Sequence, residues 1–415
     1  MDASEEKEAQ RARIVVVGGG FGGLFTAMSL QRAGAVTLIT NEDHFLHTPM
    51  LYEYLSGEVE AWHIAPTYRE LLGDDRVNLV QGAVTGVDFD AKEVEVAGRV
   101  RRLGYDYLVL AVGGVTNFWG VEGAEKYAMP FRKIRHADDL RQRMIDALDR
   151  VPPDAPPQDA RRATTFVVVG GGASGVELST KMADLLRDAF RRRGLRGEPR
   201  VVVVEMGGHI LPGMDEDVRD AVVPVMEQKR VETFTETRVV EVQRRGVVLE
   251  HAGEREMIEA QAVVWTAGVR VNPLVERLDA EKTKNGLLVV ERTLQLRGHP
   301  EVFALGDMAY FPHIAPSLAG TAQLAFQQAK LVAANVQALI DGSVPSGGHF
   351  EELGEAVSLG TDDAAVLASG QVVTGQLARQ ARFALYTTRL PTWQHRLKVG
   401  AAWFFGGKTP RPLGL

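Results

Sequence analysis

The sequence predicts an α/β protein built on two parallel sheets and followed by a small amphipathic C-terminal region. Three observations lead there. A β-branched run, Ile14 to Val17, leads directly into Gly18-Gly19-Gly20-Phe21-Gly22-Gly23, and a second, Phe166 to Val169, into Gly170-Gly171-Gly172-Ala173-Ser174-Gly175. Each glycine turn continues into a helical pattern, Leu24 to Ala33 and Val176 to Phe190, and then into another Val-rich run, Val36 to Ile39 and Val201 to Val204. After Asp363 no acidic residue occurs, and apolar residues recur there at helical spacing. Strand, tight turn, helix and strand in that order make a βαβ unit, and two such units require two parallel sheets.

A chain of 415 residues, 45% hydrophobic and 24% charged, can bury at least two cores, so two domains and a smaller appendage fit. The longest apolar run, Ile14 to Met28, is interrupted by glycines, short of the roughly 18 uninterrupted apolar residues that a membrane-spanning helix needs. The opening segment, Met1 to Arg13, is rich in Glu, Lys and Arg; it is unlike a secretory signal and reads as a cytoplasmic start. Cysteine is absent, which excludes disulfides, thiolate metal sites and a redox-active dithiol. The 10 histidines show no ligand spacing with carboxylates, so no metal site is expected, and His44, His47 and His313 read as ordinary polar residues. A net charge of -7 argues against a nucleic-acid partner. The charge is unevenly spread, because Arg379, Arg382, Arg389, Arg396, Lys398, Lys408 and Arg411 all lie in the acid-free tail. A basic end on an acidic body suits an anionic surface. The arginine-rich run Arg187 to Arg200 reads as a solvated helix end and loop.

In Gly18-x-Gly20-x-x-Gly23 the first glycine makes the tight turn, the second lets backbone approach a pyrophosphate, and the third lets helix and strand pack closely. The phosphates then sit on a helix N-terminus. A second copy in one chain implies two dinucleotides held face to face, as is needed when one cofactor reduces another. In the second unit the strand after the helix ends at Glu205. A carboxylate there accepts the adenosine ribose hydroxyls, whereas a 2'-phosphate would meet like charge at a cost of about 1–4 kcal/mol. NADH is therefore favoured over NADPH. At the first site Thr40 and Asn41 take that place with Glu42 and Asp43 just beyond, so a neutral hydrogen-bonder or a displaced acid contacts the ribose. The late strand Val302 to Leu305 ends in Gly306-Asp307; alone this pair reads as a turn and helix cap, but after two glycine motifs it reads as a carboxylate that can reach a flavin's ribityl hydroxyls, with glycine clearing space for the chain. A long helix follows from Gly320 to about Ile340, while Val151 to Gln158 and Asp341 to Gly348 read as connectors.

These motifs resemble, over nearly the whole chain, the type II NADH:quinone oxidoreductases within the larger family of FAD- and NAD(P)-dependent reductases. Tyr105-Asp106-Tyr107-Leu108-Val109-Leu110-Ala111-Val112-Gly113-Gly114, continuing to Thr116-Asn117-Phe118 and Gly120, is similar to that family's crossover between domains, as is Trp265-Thr266-Ala267-Gly268. Pro49-Met50-Leu51-Tyr52-Glu53 with Leu55-Ser56-Gly57-Glu58-Val59 resembles the cyanobacterial and plastid branch, which reduces naphthoquinone- or plastoquinone-type acceptors. The resemblance implies two Rossmann-like domains in a glutathione-reductase-like arrangement. FAD would be held by residues 11–118 and 277–345 and NADH by residues 119–276, with 346–415 as a membrane-surface or dimerisation region. It carries FAD contacts onto Gly18, Gly20, Phe21, Gly22, Gly23 and Asn41, and onto Pro49, Val84, Ala111, Gly113, Asp307 and Gln323. NADH contacts fall on Gly170, Gly172, Ala173, Ser174 and Gly175, and on Glu177, Glu205, Ala267 and Gly268.

Ala322-Gln323-Leu324-Ala325-Phe326-Gln327-Gln328 resembles the quinone-site helix of these enzymes. Gln323 and Gln327, four apart, share a helical face, and two amides can donate to a quinone carbonyl without a competing charge; the plain alternative is a solvated surface helix. By the same resemblance Glu177, in the first turn after the second glycine motif, lies beside nicotinamide and flavin and supports proton delivery, a task that suits a buried carboxylate with a raised pKa. In the tail Phe383, Tyr386 and Leu390, then Trp393, Leu397, Ala401 and Phe404 after Pro391, recur at helical spacing among basic residues. An interfacial helix pair on an anionic leaflet fits, each cation contributing about 1 kcal/mol; the alternative is that this face packs on the body or on a second copy as a homodimer. The expectation is a peripheral flavoprotein on the cytoplasmic side of the inner membrane that passes electrons from NADH through FAD to a quinone without pumping protons. Two rivals stand beside it: an NADH reductase of a small electron-transfer protein such as ferredoxin or rubredoxin, and a non-enzymatic FAD/NADH redox sensor resembling apoptosis-inducing factor. The lack of cysteine excludes a dithiol disulfide reductase and a sulfide:quinone reductase.

Overall fold

A computed structural model describes residues 11–73, 76–98, 102–312, 314, 318–352, 354–368, 370–405 and 413. The chain divides into two compact units: Met1–Leu46, Ala65–Val115 and Val269–Glu352 form the first, and His47–Ile64, Thr116–Gly268 and Leu353–Leu415 the second.

The first unit is built on a six-stranded sheet in the order Gln295–Leu296, His299–Ala304, Tyr107–Leu110, Arg13–Val17, Ala35–Thr40, Val77–Gln81. Its strands run parallel except for the edge pair Gln295–Leu296 and His299–Ala304. Ile14, Val16, Leu38, Leu108, Val109, Leu110, Val302 and Phe303 are wholly buried, as expected of parallel strands covered on both faces. The helix Phe21–Leu30 follows the first glycine turn and packs against the long helix Ala322–Ile340, where Phe25 meets Phe326 edge-on at 4.7 Å. A three-stranded antiparallel sheet, Val84–Asp88, Glu93–Val96 and Arg102–Gly104, completes the unit.

The second unit repeats the plan with a five-stranded parallel sheet ordered Val231–Phe234, Arg200–Val204, Thr165–Val169, Ala262–Trp265, Met129–Pro130. Every position of the central strand Thr165–Val169 is buried. The helix after the second glycine turn, Ala173–Arg193, ends at Gly194, whose φ of 64° lets its N–H cap the carbonyls of Phe190 and Arg191. An antiparallel meander, Arg238–Gln243, Gly246–His251 and Glu254–Glu259, lies against the sheet's core.

Two parts of the chain fall differently from the sequence-based division. The segment His47–Ile64, expected with the FAD-binding residues, clusters with the second unit, and so does the C-terminal appendage. The appendage opens with a three-stranded antiparallel sheet, Glu355–Ser358, Ala364–Ala368 and Gln371–Thr374, before the helices Gln376–Thr388 and Trp393–Phe405. Its apolar stripe also divides. Phe383 and Leu390 are buried, with Phe383 stacked on Trp403 at 3.6 Å, whereas Trp393, Leu397 and Phe404 are 64%, 63% and 82% exposed and Ala401 is exposed with them. The first helix of the pair thus packs inward and the second presents an apolar face. Among the described residues no helix is long and apolar enough to cross a membrane. His313, Lys408 and Arg411 lie outside the described residues.

Helix and turn approach so closely that a Cβ on Gly23 or Gly175 would stand 1.8 Å from the carbonyl oxygen of Gly18 or Gly170. Gly23→Ala and Gly175→Ala are each expected to lower stability by about 1–3 kcal/mol in thermal or chemical denaturation. Gly208→Ala, whose Cβ would meet open space, is expected to leave the transition in place.

Candidate active site

Both glycine turns take the same backbone path. Gly18 and Gly170 have φ of 104° and 107°, a conformation open to glycine alone at no steric cost. Each donates its N–H at 2.8 Å to the neighbouring strand, Gly18 to Ile39 and Gly170 to Val204. A Cβ on Gly18 would strike the Ala111 carbonyl oxygen at 2.3 Å, and one on Gly170 would lie 2.9 Å from Ala267. At Gly20 and Gly172 an added Cβ meets nothing within 4 Å; the turn is open there to a ligand. The helices that start at Phe21 and Ala173 have no side-chain N-cap, which leaves their first N–H groups to an anion. Two pyrophosphate cradles therefore fit the residues present.

Side chains finish the two cradles differently. In the second unit Glu205 accepts from the N–H groups of Gly171 and Gly207, both at 2.7 Å. This fixes a carboxylate at the strand end with lone pairs left for ribose hydroxyls. In the first unit Thr40 Oγ1 accepts from the Glu42 N–H at 3.3 Å, and Asn41 is exposed. The Tyr68 hydroxyl donates to the Gly19 carbonyl at 2.7 Å, and burial pushes its phenol up to about 12. Tyr68 opens a short helix capped by a Thr67/Glu70 box. That Thr-x-x-Glu spacing was the one sequence signal that could have located it.

Ala111 and Gly113 border the first turn, Ala111 donating to the Val17 carbonyl at 2.8 Å and Gly113 adopting a φ of 63°; Val84 begins the antiparallel sheet of the same unit. Phe21 packs edge-on against Phe45 at 5.0 Å. Pro49 falls in the second unit, where its carbonyl accepts from Arg382 at 3.0 Å. The Gly306-Asp307 turn is held by Gln328, whose Oε1 accepts the Gly306 N–H at 2.8 Å. Gln328 is buried within the stripe Leu324, Ala325, Gln328, Ala329 and Val332, and a polar residue in that stripe is the clue to it. Gln323 and Gln327 do share a face, yet the structure gives their amides a partner: both donate to the Glu351 carbonyl, at 3.2 and 2.8 Å. Gln327 Oε1 accepts the Glu351 N–H in return at 2.9 Å. An extended peptide and a primary amide match donor for acceptor, which is why the helix holds this strap of chain.

Glu177, expected in the first turn, begins the second turn of the helix Ala173–Arg193, because the helix already starts at Ala173 within the glycine motif, and it sits in a buried ionic network that spacing alone did not reveal. Arg382 bridges Glu53 at 2.6 Å and Glu177 at 2.7 Å, and Ser358 N–H donates to the same Glu177 oxygen at 2.9 Å. Lys181 pairs with Glu58 and lies 3.8 Å from Glu53, while Arg379 pairs with Glu58 at 2.7 Å. Burial raises the Glu177 carboxyl, Arg382 pulls it back and Glu53 raises it again, leaving it at about 7. Burial alone would also raise Glu53, but Arg382 and Lys181 hold it below the ordinary carboxylate range. Arg382 stays charged: its burial is outweighed by Glu53 and Glu177. Tyr52, pushed up by burial and by Glu177, hydrogen-bonds Ser174 of the second glycine turn. His47 is buried, and with Arg389 and Arg382 nearby is pushed down to about 3, hence neutral. Ala173 and Ser174 open the helix, and Ala267 and Gly268 follow the strand Ala262–Trp265 beside the turn.

Paired cradles of this kind, one closed by an acidic strand end, define a two-dinucleotide oxidoreductase fold. The family model for pyridine nucleotide-disulphide oxidoreductase matches residues 12–329. The demethylphylloquinone reductase NdbB of Synechocystis is 35% identical over 97% of this chain and 97% of its own length. An alternative NAD(P)H-ubiquinone oxidoreductase C1 of Arabidopsis thaliana, chloroplastic/mitochondrial, is 30% identical over 95% of this chain and 81% of its length. Among solved structures, NDH2 from Plasmodium falciparum in complex with NADH shares the fold, with a TM-score of 0.85 at 18% identity over 97% of this chain and 100% of that one. The chain belongs to the pyridine nucleotide-disulphide oxidoreductase family and, within it, to the type II NADH:quinone oxidoreductases.

Removing one partner of a buried ion pair strands the others. Arg382→Met is therefore expected to cost about 3–5 kcal/mol in equilibrium denaturation, with Arg382→Lys intermediate; equal stability of all three proteins would contradict the network.

Proposed function

We propose that this chain oxidises NADH and reduces a membrane quinone through FAD. The observation that carries this reading is the presence of two dinucleotide cradles in a chain without cysteine, which leaves no dithiol to stand between nucleotide and acceptor. FAD, when bound, would supply the two-electron redox chemistry that couples NADH oxidation to quinone reduction. The Gly18–Gly23 turn and Asp307 would hold the FAD, and the Gly170–Gly175 turn and Glu205 would hold the NADH. Glu205 excludes a 2'-phosphate by like charge. Glu177, poised at about 7, holds or releases a proton at its carboxylate near neutral pH. Gln323 and Gln327 donate to the quinone carbonyl in place of the Glu351 carbonyl. The Synechocystis relative, named for demethylphylloquinone, favours a naphthoquinone-type acceptor over a plastoquinone-type one, whereas the Arabidopsis relative is named for ubiquinone. The face of Trp393, Leu397, Ala401 and Phe404, flanked by Arg396 and Lys398, rests on the cytoplasmic leaflet of the inner membrane; a second copy of the chain is its other candidate occupant.

Anaerobic stopped-flow mixing is the test. Bleaching of the flavin by NADH at least about tenfold faster than by NADPH, followed by reoxidation with a water-soluble naphthoquinone, is the expected result. Bleaching without quinone reoxidation would sink the quinone reading and turn the search to a protein acceptor.

A further inference from the structure

Trp119 combines three properties rarely found together. Its backbone lies at φ 54°, a left-handed conformation that a bulky aromatic residue seldom adopts. Its side chain is 68% exposed, so packing does not hold it there. Its orientation is nevertheless fixed: the indole N–H donates to the Ala267 carbonyl at 3.0 Å, and its backbone N–H donates to Asn117 Oδ1 at 2.9 Å. The neighbouring backbone is pinned as well. Asn117 N–H donates to the Gly268 carbonyl at 3.2 Å, and the Trp265 indole donates to the carbonyls of Asn117 and Ala267 at 2.9 and 3.0 Å. Gly268 leaves room for the ring, since a Cβ there would lie 2.8 Å from Trp119 Nε1 and 2.9 Å from Cζ2. Isolated exposed aromatics need no explanation, but one held rigidly in a strained backbone does, because such strain concentrates at ligand sites.

The sheet of the second unit says what that ligand is. Glu205 ends the strand on one side of the central strand Thr165–Val169, and Ala267 and Gly268 follow the strand on its other side. A dinucleotide crosses the carboxyl ends of such strands, with its adenosine ribose on the acid and its pyrophosphate on the glycine turn. Its other half then runs toward Ala267 and Gly268, where the indole stands. We propose that Trp119 stacks against the nicotinamide half of the dinucleotide bound by the second unit, so that affinity for the whole dinucleotide over its ADP-ribose part depends on this residue. The assignment rests on reading the second glycine turn as the NADH site. A flat, electron-poor nicotinamide ring against an indole face is a favourable aromatic pair, and glycine at 268 is what lets the indole reach it.

The test compares NAD+ with ADP-ribose by titration calorimetry on the full-length flavoprotein. Trp119→Ala should weaken NAD+ by about 3- to 10-fold, the scale of one aromatic contact, and leave ADP-ribose within about twofold. Trp119→Phe should restore most of the NAD+ affinity. Trp119→Gly, which suits the backbone conformation, should melt no lower than Trp119→Ala while binding NAD+ as weakly, so that folding and stacking separate. Unchanged NAD+ affinity in Trp119→Ala, or equal weakening of both ligands, would overturn the stacking role while leaving the NADH site intact. Failure of the natural sequence to bind either ligand would overturn the reading of the site itself, and Trp119 with it.

Discussion

The second unit turns on a buried network of three carboxylates, Glu53, Glu58 and Glu177, and three cations, Lys181, Arg379 and Arg382. Taking these charges out of water is costly and is offset only if all stay paired. That constraint ties together the segment His47–Ile64, the helix behind the second glycine turn and the first helix of the tail. It explains why the tail belongs to this unit. With every member ionised the charges balance; a proton on Glu177 leaves one positive charge in excess. Arg382 and Glu53 act on Glu177 in opposite senses, and burial adds to Glu53. The carboxylate is thereby brought to the neutral range, where it exchanges a proton most readily.

The two cradles show a backbone constraint met by different side chains. The positive φ of Gly18 and Gly170 and the close contact at Gly23 and Gly175 are common to both. At Glu205 a charged group is braced by two peptide N–H groups. The first turn is braced through its carbonyl instead, by the neutral Tyr68. Geometry for a pyrophosphate is thus separable from the choice of nucleotide.

Much of this was legible in the sequence because glycine spacing maps directly onto backbone conformation and strand–helix order onto parallel sheets. The placement of the second glycine turn and the acid at its strand end followed from Phe166 to Glu205 alone. Pairings across long separations were not legible. Arg379 and Arg382 look like surface cations of an amphipathic helix, yet their carboxylates lie 321 and 329 residues earlier. Gln323 and Gln327 share a face as their spacing required, but only the folded chain shows Glu351 against it. Trp119 carries no sequence signal at all, since its meaning lies in a dihedral angle and in the missing side chain of Gly268.

The proton-holding role proposed for Glu177 rests on its protonation within this network, and infrared difference titration measures that directly. The protonated-carboxyl band in the natural sequence, with Glu177→Gln subtracted, should disappear as pH rises with a midpoint near 7. A Glu177 carboxylate fully ionised from pH 5 upward would contradict the balance of burial, Arg382 and Glu53 described above.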